Sequence, residues 1–235
     1  MNGWWVTDAI NVHGVPFLIS WVFWIIFSIV LHELAHGWAA IRCGDRTPIE
    51  VGHMTWNPVV HMGIPSLVVF AIVGITWGAM PVNPARFRRR HDDAFVAIAG
   101  PAMNAILVIA AAVGYILWVG CGSGKWFGNA PMANTDLFDN MSVFFRVGMM
   151  LNIVLALFNL VPVPPLDGSR ILGSFVPAYR RAFEGQSGTI IGIILFIVAF
   201  NLAGKILYGA AATATVETLA FLESALIPGL RGPIP

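Results

Sequence analysis

The chain has 235 residues, 57% of them hydrophobic and only 11% charged, with a formal net charge of +1. An ordinary soluble domain carries about 25% charged residues, so a soluble globule is excluded, and so near-neutral a balance offers no electrostatic footprint for nucleic acid. Cys43 and Cys121 follow no metal-ligand spacing and predict no disulfide.

In chain order, the first strong element is an apolar helix over 15–41, whose stretch from Val15 to Leu31 lacks any Asp, Glu, Lys or Arg. No basic n-region or small-residue cleavage site precedes it, so it is expected to persist as a true membrane span. It leads directly into HELAH, residues 32–36. On a helix, His32 and His36 fall one turn apart on one face. Both imidazoles can then reach one zinc ion, with Glu33 beside the open coordination position. For a chain of this composition an HExxH arises by chance with probability of roughly 0.003. A pair of interfacial histidines is the plainer alternative, but ionisable residues within membrane segments are rare and usually functional.

Residues 42–61 are polar. Ile49 and Val51 are separated by a single charged residue, and Gly52 and Pro58 punctuate the stretch, which predicts short strands or a β-hairpin. A strand between Thr47 and Thr55 is expected to offer its edge to an extended substrate. An apolar segment over 64–80 contains Pro65, Gly74 and Gly78. The basic run of Arg86, Arg88, Arg89 and Arg90 precedes a second strong helix over 94–118. A loop over 120–140 leads to a third helix over 142–161, stopped by Pro162, Pro164 and Pro165. A fourth span is predicted over 189–207, and 213–227 is expected to form an interfacial or additional helix.

Catalytic zinc usually keeps three protein ligands and one exchangeable water. Asp167, in NLVPVPPLDG, lies where prolines break a membrane helix, and a carboxylate there is costly unless it binds something. Broken backbone at membrane depth is tolerated where it lines a wet cavity. Asp167 is therefore the expected third ligand. Its partners lie near the end of the first helix and Asp167 lies beyond the end of the third, so both ends must share one membrane side. The 64–80 segment must then begin and end on that side, as a re-entrant or interfacial piece. Arg42, Arg46, Arg86, Arg88, Arg89, Arg90, Arg170, Arg180 and Arg181 all fall there, with Lys125 and Arg146 opposite. By the positive-inside rule the site faces the cytoplasm and the N-terminus lies outside.

HELAHGWAA, AGPAMN and FNLVPVPPLDG occur in the order of the three signatures of the site-2 proteases, which are intramembrane zinc metalloproteases. With TWNPVVH and AMPVNPARF between them, the chain resembles this family over about 31–172, in its short prokaryotic form without PDZ or CBS modules. HMGIP departs from the pattern, since many relatives carry an acidic residue there. The resemblance implies His32, His36 and Asp167 as ligands of one zinc ion and Glu33 as general base.

Within AGPAMN, Asn104 is a candidate donor to the developing oxyanion, the alternative being a helix–helix hydrogen bond. Asn159 reads as a structural amide, and His53, His61 and His91 as surface or turn residues. The expected whole is an all-α polytopic membrane protein, a bundle of about four to six membrane segments with a small β-hairpin after the first helix. It forms a single protease domain over 1–235, with its core at 15–172 and C-terminal membrane segments at 189–227. Its expected partners are a transmembrane protein substrate and the lipid bilayer of a prokaryotic cell membrane; no nucleic acid is involved, and the oligomeric state stays open. A metal transporter and a membrane scaffold are the rival classes. A transporter has no need of Glu33 beside His32 and should show inverted repeats, which are not evident. A scaffold would tolerate loss of the motif.

Overall fold

The computed structural model describes residues 4–127, 135–227 and 229, so part of the 120–140 loop lies outside the described residues. A short helix α1 (Trp5–His13) turns at Gly14 into α2 (Val15–Cys43). The apolar run of α2 has no breaker. Pro16 sits in its first turn, where a missing N–H costs nothing, and Gly44 closes it in the left-handed conformation at φ 105°. At 1.5 Å per residue, α2 extends about 43 Å, and His32 lies about 16 Å short of its C-terminal end. HELAH is thus within the helix rather than at its rim. Then follow α3 (Thr47–Glu50), α4 (Pro58–Val73), a 3-10 turn at Pro84–Arg86, α5 (Asp92–Gly122), α6 (Asp136–Asn159), α7 (Asp167–Phe175), α8 (Pro177–Ala182) and α9 (Gly185–Leu226). Among the described residues, four stretches are long and apolar enough to cross a membrane: Val15–Cys43, Asp92–Gly122, Asp136–Asn159 and Gly185–Leu202.

The expected β-hairpin is absent: no strand occurs among the described residues. The cause lies at Asp45. Its carboxylate accepts from the backbone N–H of Thr47 at 2.9 Å and from the Thr47 hydroxyl, which starts a helical turn through Pro48 and Ile49. Gly52, at φ 71°, then turns the chain before a second extended segment could pair. The substrate-binding strand expected between Thr47 and Thr55 is thereby ruled out. The 213–227 piece is likewise no separate element, because α9 runs on through it.

Helices α2, α5 and α6 form the centre. On α5 the inward stripe through the centre carries the small or polar Ala97, Gly100, Asn104 and Ala111, with Leu107 the one large residue among them. Phe95, Ile98, Ile106, Ile109 and Val113 point outward and stay exposed. Small residues inside and large apolar ones outside is the arrangement by which helices approach closely in lipid. Along the second half of α9, Ala211, Thr215 and Leu219 form a buried stripe at four-residue spacing, and Glu223 continues it to accept a hydrogen bond from the Tyr115 hydroxyl at 2.7 Å.

The 64–80 segment folds back on itself. Asn57 caps α4 by accepting from Val59 N–H, and Gly63 kinks the helix at φ 70°. An extended return then runs antiparallel to it: Trp77 N–H donates to Ser66 Oγ at 2.9 Å and Ala79 N–H to His61 O at 2.9 Å. The tip is tied to the N-terminal region, the Trp4 and Trp5 indoles both donating to Ala71 O at 3.1 Å. The return ends at Asn83, whose N–H donates to Asp45, two residues beyond α2. Both ends of the segment therefore lie by the C-terminal end of α2, as the topology requires.

Candidate metal centre

His32 and His36 project from consecutive turns of α2. Asp167 is the first residue of α7, delivered there because the prolines after Asn159 end α6 and turn the chain inward. Arg170, one turn on, pairs with Asp93 in the first turn of α5 at 2.7 Å and so fixes α7 against the bundle. The Nε2 atoms of His32 and His36 lie 3.0 Å apart. Asp167 Oδ2 lies 3.2 Å from the first and 3.3 Å from the second. All three side chains are buried, and they are the group of His, Cys, Asp and Glu among the described residues placed to hold a metal ion.

The hydrogen bonds behind the rings decide what this triangle is. His36 Nδ1 lies 2.7 Å from the Val96 carbonyl and His32 Nδ1 lies 2.7 Å from Asn104 Oδ1. Both partners can only accept, so both Nδ1 atoms carry the ring proton and both Nε2 atoms present lone pairs. Asp167 Oδ2 is buried with no hydrogen-bond partner. Three acceptors thus converge with no proton between them, an arrangement that repels itself unless a cation neutralises it. Two donors each about 2.0–2.1 Å from a tetrahedral zinc ion are separated by about 3.3 Å, close to the edges of this triangle. The residues fit a bound metal.

Glu33 is buried and faces the return segment: a Cβ built on Gly78 would stand 2.7 Å from its Oε1. The extended chain therefore passes directly over this carboxylate. The anchor of that segment is electrostatic. Burial would raise the Asp45 carboxyl, but hydrogen bonds from Asn83 N–H and from Thr47 outweigh it and hold the group below its ordinary value, with Arg86 adding to the effect.

Asn104 is brought to the centre. It is fully buried and turns its oxygen, not its N–H groups, toward His32, while Nδ2 donates to Asn152 Oδ1 at 2.9 Å. It makes the helix–helix hydrogen bond given above as the alternative reading, here between α5 and α6. Asn159 is structural, donating to Leu155 O at 2.9 Å. His91 is exposed and stacked on Phe175. His61 departs from the surface reading. It is buried, with Nε2 2.7 Å from Thr55 O, because the Asn57 cap and Pro58 start a helix that turns its fourth residue inward. Asn152 does not stand out in the sequence reading, and Gly78 enters it only as a breaker within 64–80. For Asn152 the available signal is an amide in the apolar span of α6.

The family profile of peptidase family M50 matches residues 20–203. The chain belongs to that family, the site-2 proteases. Among curated relatives, the Bacillus subtilis (strain 168) protein named "Putative zinc metalloprotease YwhC" is 36% identical over 188 residues, covering 79% of this chain and 80% of that protein. "Putative zinc metalloprotease Rip2" of Mycolicibacterium smegmatis is 26% identical over 183 residues, 73% of this chain and 64% of the relative. Its namesake from Mycobacterium tuberculosis H37Rv is 25% identical over 185 residues, with shares of 74% and 64%. No solved structure matches the chain significantly. His32, Glu33, His36 and Asp167 all lie inside the M50 region.

Proposed function

We propose that this M50 peptidase is a zinc-dependent intramembrane endopeptidase that hydrolyses peptide bonds within or beside transmembrane segments of membrane proteins. The observation that carries the reading is the convergence of three unprotonated acceptors from His32, His36 and Asp167, with both imidazoles inside a helix long enough to span a bilayer. Two imidazoles with one carboxylate are a donor set of catalytic zinc, and the relatives' names point to the same metal.

Zinc held by these three residues would supply Lewis acidity to a water molecule and to the scissile carbonyl. Glu33, adjacent to the first ligand, takes the proton of the attacking water and returns it to the leaving nitrogen. Val96 O and Asn104 hold the two imidazoles in their ligating tautomer. Asn104 is thereby read as a positioning residue, not an oxyanion donor. The buried setting excludes bulk water, and the return segment over Glu33 governs access to it.

The whole chain acts as one membrane protease domain. Its arginine-rich end, at which the metal site opens, faces the cytoplasm of a prokaryotic cell, because Arg42, Arg46, the Arg86–Arg90 cluster and Arg170 gather there. Labelling of Arg86→Cys and Lys125→Cys variants in oriented vesicles tests this. Reactivity from opposite sides is expected, and reactivity of both from one side overturns the orientation. For the activity, purified protein should contain one zinc ion and cut single-pass membrane substrates. Cleavage that survives complete metal removal overturns the reading.

A further inference from the structure

The polarity of the hydrogen bond at His32 is dictated from a third helix. Gly148 O, a backbone carbonyl on α6, can only accept, and it receives Asn152 Nδ2 at 2.8 Å. This turns Asn152 Oδ1 toward α5, where it receives Asn104 Nδ2 at 2.9 Å. Asn104 Oδ1 is in turn directed at His32 Nδ1 on α2, 2.7 Å away. Both asparagines are 0% exposed, so no solvent can substitute for a partner or relieve a reversed amide. If either amide flipped, a donor would face His32 Nδ1, the ring proton would move to Nε2, and the atom facing His36 and Asp167 would lose its lone pair. His36 needs no such relay, because Val96 O fixes its tautomer directly.

We propose that Asn152 is a positioning residue for the metal site: acting through Asn104, it sets the tautomer of His32 and thereby its capacity to bind zinc. It touches neither metal nor substrate. The proposal rests on the reading of His32 as a zinc ligand. The competing role for the Asn104–Asn152 pair is adhesion between α5 and α6, which is worth something in lipid whichever way the amides point. The two roles separate cleanly. Adhesion alters stability with or without metal, whereas the relay alters tautomer and zinc affinity.

The test uses the full chain in detergent micelles, as wild type, Asn152→Leu and Asn152→Asp. Zinc affinity is measured by chelator competition. The histidine tautomers are read by nitrogen NMR of 15N-histidine protein without metal. The carboxyl introduced by Asn152→Asp stays protonated in its apolar site, donates to Gly148 O and accepts from Asn104, so it preserves the relay. Asn152→Leu is expected to weaken zinc binding about 10- to 100-fold and to give one histidine a mixed tautomer. Asn152→Asp should keep zinc affinity within about threefold of wild type, a rescue that adhesion alone does not predict. If the leucine variant does not fold, Asn152→Ala carries the same expectation. Lowered melting temperature with unchanged zinc affinity and a single His32 tautomer overturns the relay and leaves adhesion. Wild-type protein that binds no zinc overturns the metal-site reading instead, and the tautomer comparison still decides the relay.

Discussion

Gly100 on α5 lies so close to the imidazole of His32 that a Cβ built on it would stand 2.5 Å from the ring's Nε2, and at the same distance from His36 Nε2. The AGPAMN signature is therefore a clearance for the metal site: Gly100 lets α5 approach α2, and Asn104, one turn further, reaches His32. Gly100→Ala must displace two ligand rings or separate two helices. Zinc affinity should fall at least about tenfold, by chelator competition, while helical content by circular dichroism is unchanged. Wild-type affinity in this variant would contradict the packing.

Glu33→Gln preserves shape and removes the proton acceptor. Zinc content should stay near one ion per chain, and cleavage of a single-pass substrate should drop about 100- to 10,000-fold. Retained cleavage would remove Glu33 from the mechanism.

Asp167→Asn replaces an anionic ligand by a neutral amide. Both zinc content and cleavage should fall. The wild-type protein should also lose thermal stability when zinc is stripped, since a ligand at about 100 times its Kd stabilises by about 2.7 kcal/mol. The variant should show little of that shift in a melting experiment with and without chelator.

The close approach at Gly78 predicts a separation of binding from turnover. Gly78→Val puts side-chain atoms against Glu33 Oε1 beneath the return segment. Cleavage should decline severalfold or more with zinc affinity preserved. A loss of zinc together with activity would mean that the segment shapes the ligands too.

Asp45 gives a pH dependence. Its carboxyl is held below the ordinary value in the folded chain, so it contributes stability that is complete above the unfolded value near about 3.9 and lost as pH falls through the folded value. Asp45→Asn should lower the melting temperature at neutral pH and flatten its decline toward acid. An identical decline in both proteins would assign the acid sensitivity elsewhere.

The four spans are legible in the sequence because each is a long apolar run with few charges, and HELAH and the DG motif are legible because metal ligands have few other uses in lipid. The inward fold-back of 64–80 follows from a constraint, that His36 and Asp167 must meet. What escapes the sequence is set by tertiary contacts. The turn after Cys43 is helical because Asp45 finds Thr47 and a distant Asn83, which alternation at Ile49 and Val51 does not register. The importance of Asn104 is visible from an amide in an apolar motif, but its direction depends on Gly148 O, on another helix. Helix α1 is too short and too mixed to stand out.

The fold-back of 64–80 is pinned at four points: at its tip, where the Trp4 and Trp5 indoles hold Ala71 O of α4; along the extended return, where Ser66 holds Trp77 and His61 O holds the Ala79 N–H; and at its foot, where Asp45 holds Asn83. A strap fastened in this way cannot swing open from one hinge as a flap does. Gly78, which crosses Glu33, sits between the ties at Trp77 and Ala79, so Glu33 would be uncovered only by releasing one of those two hydrogen bonds, a local change of a few residues with the helices left in place.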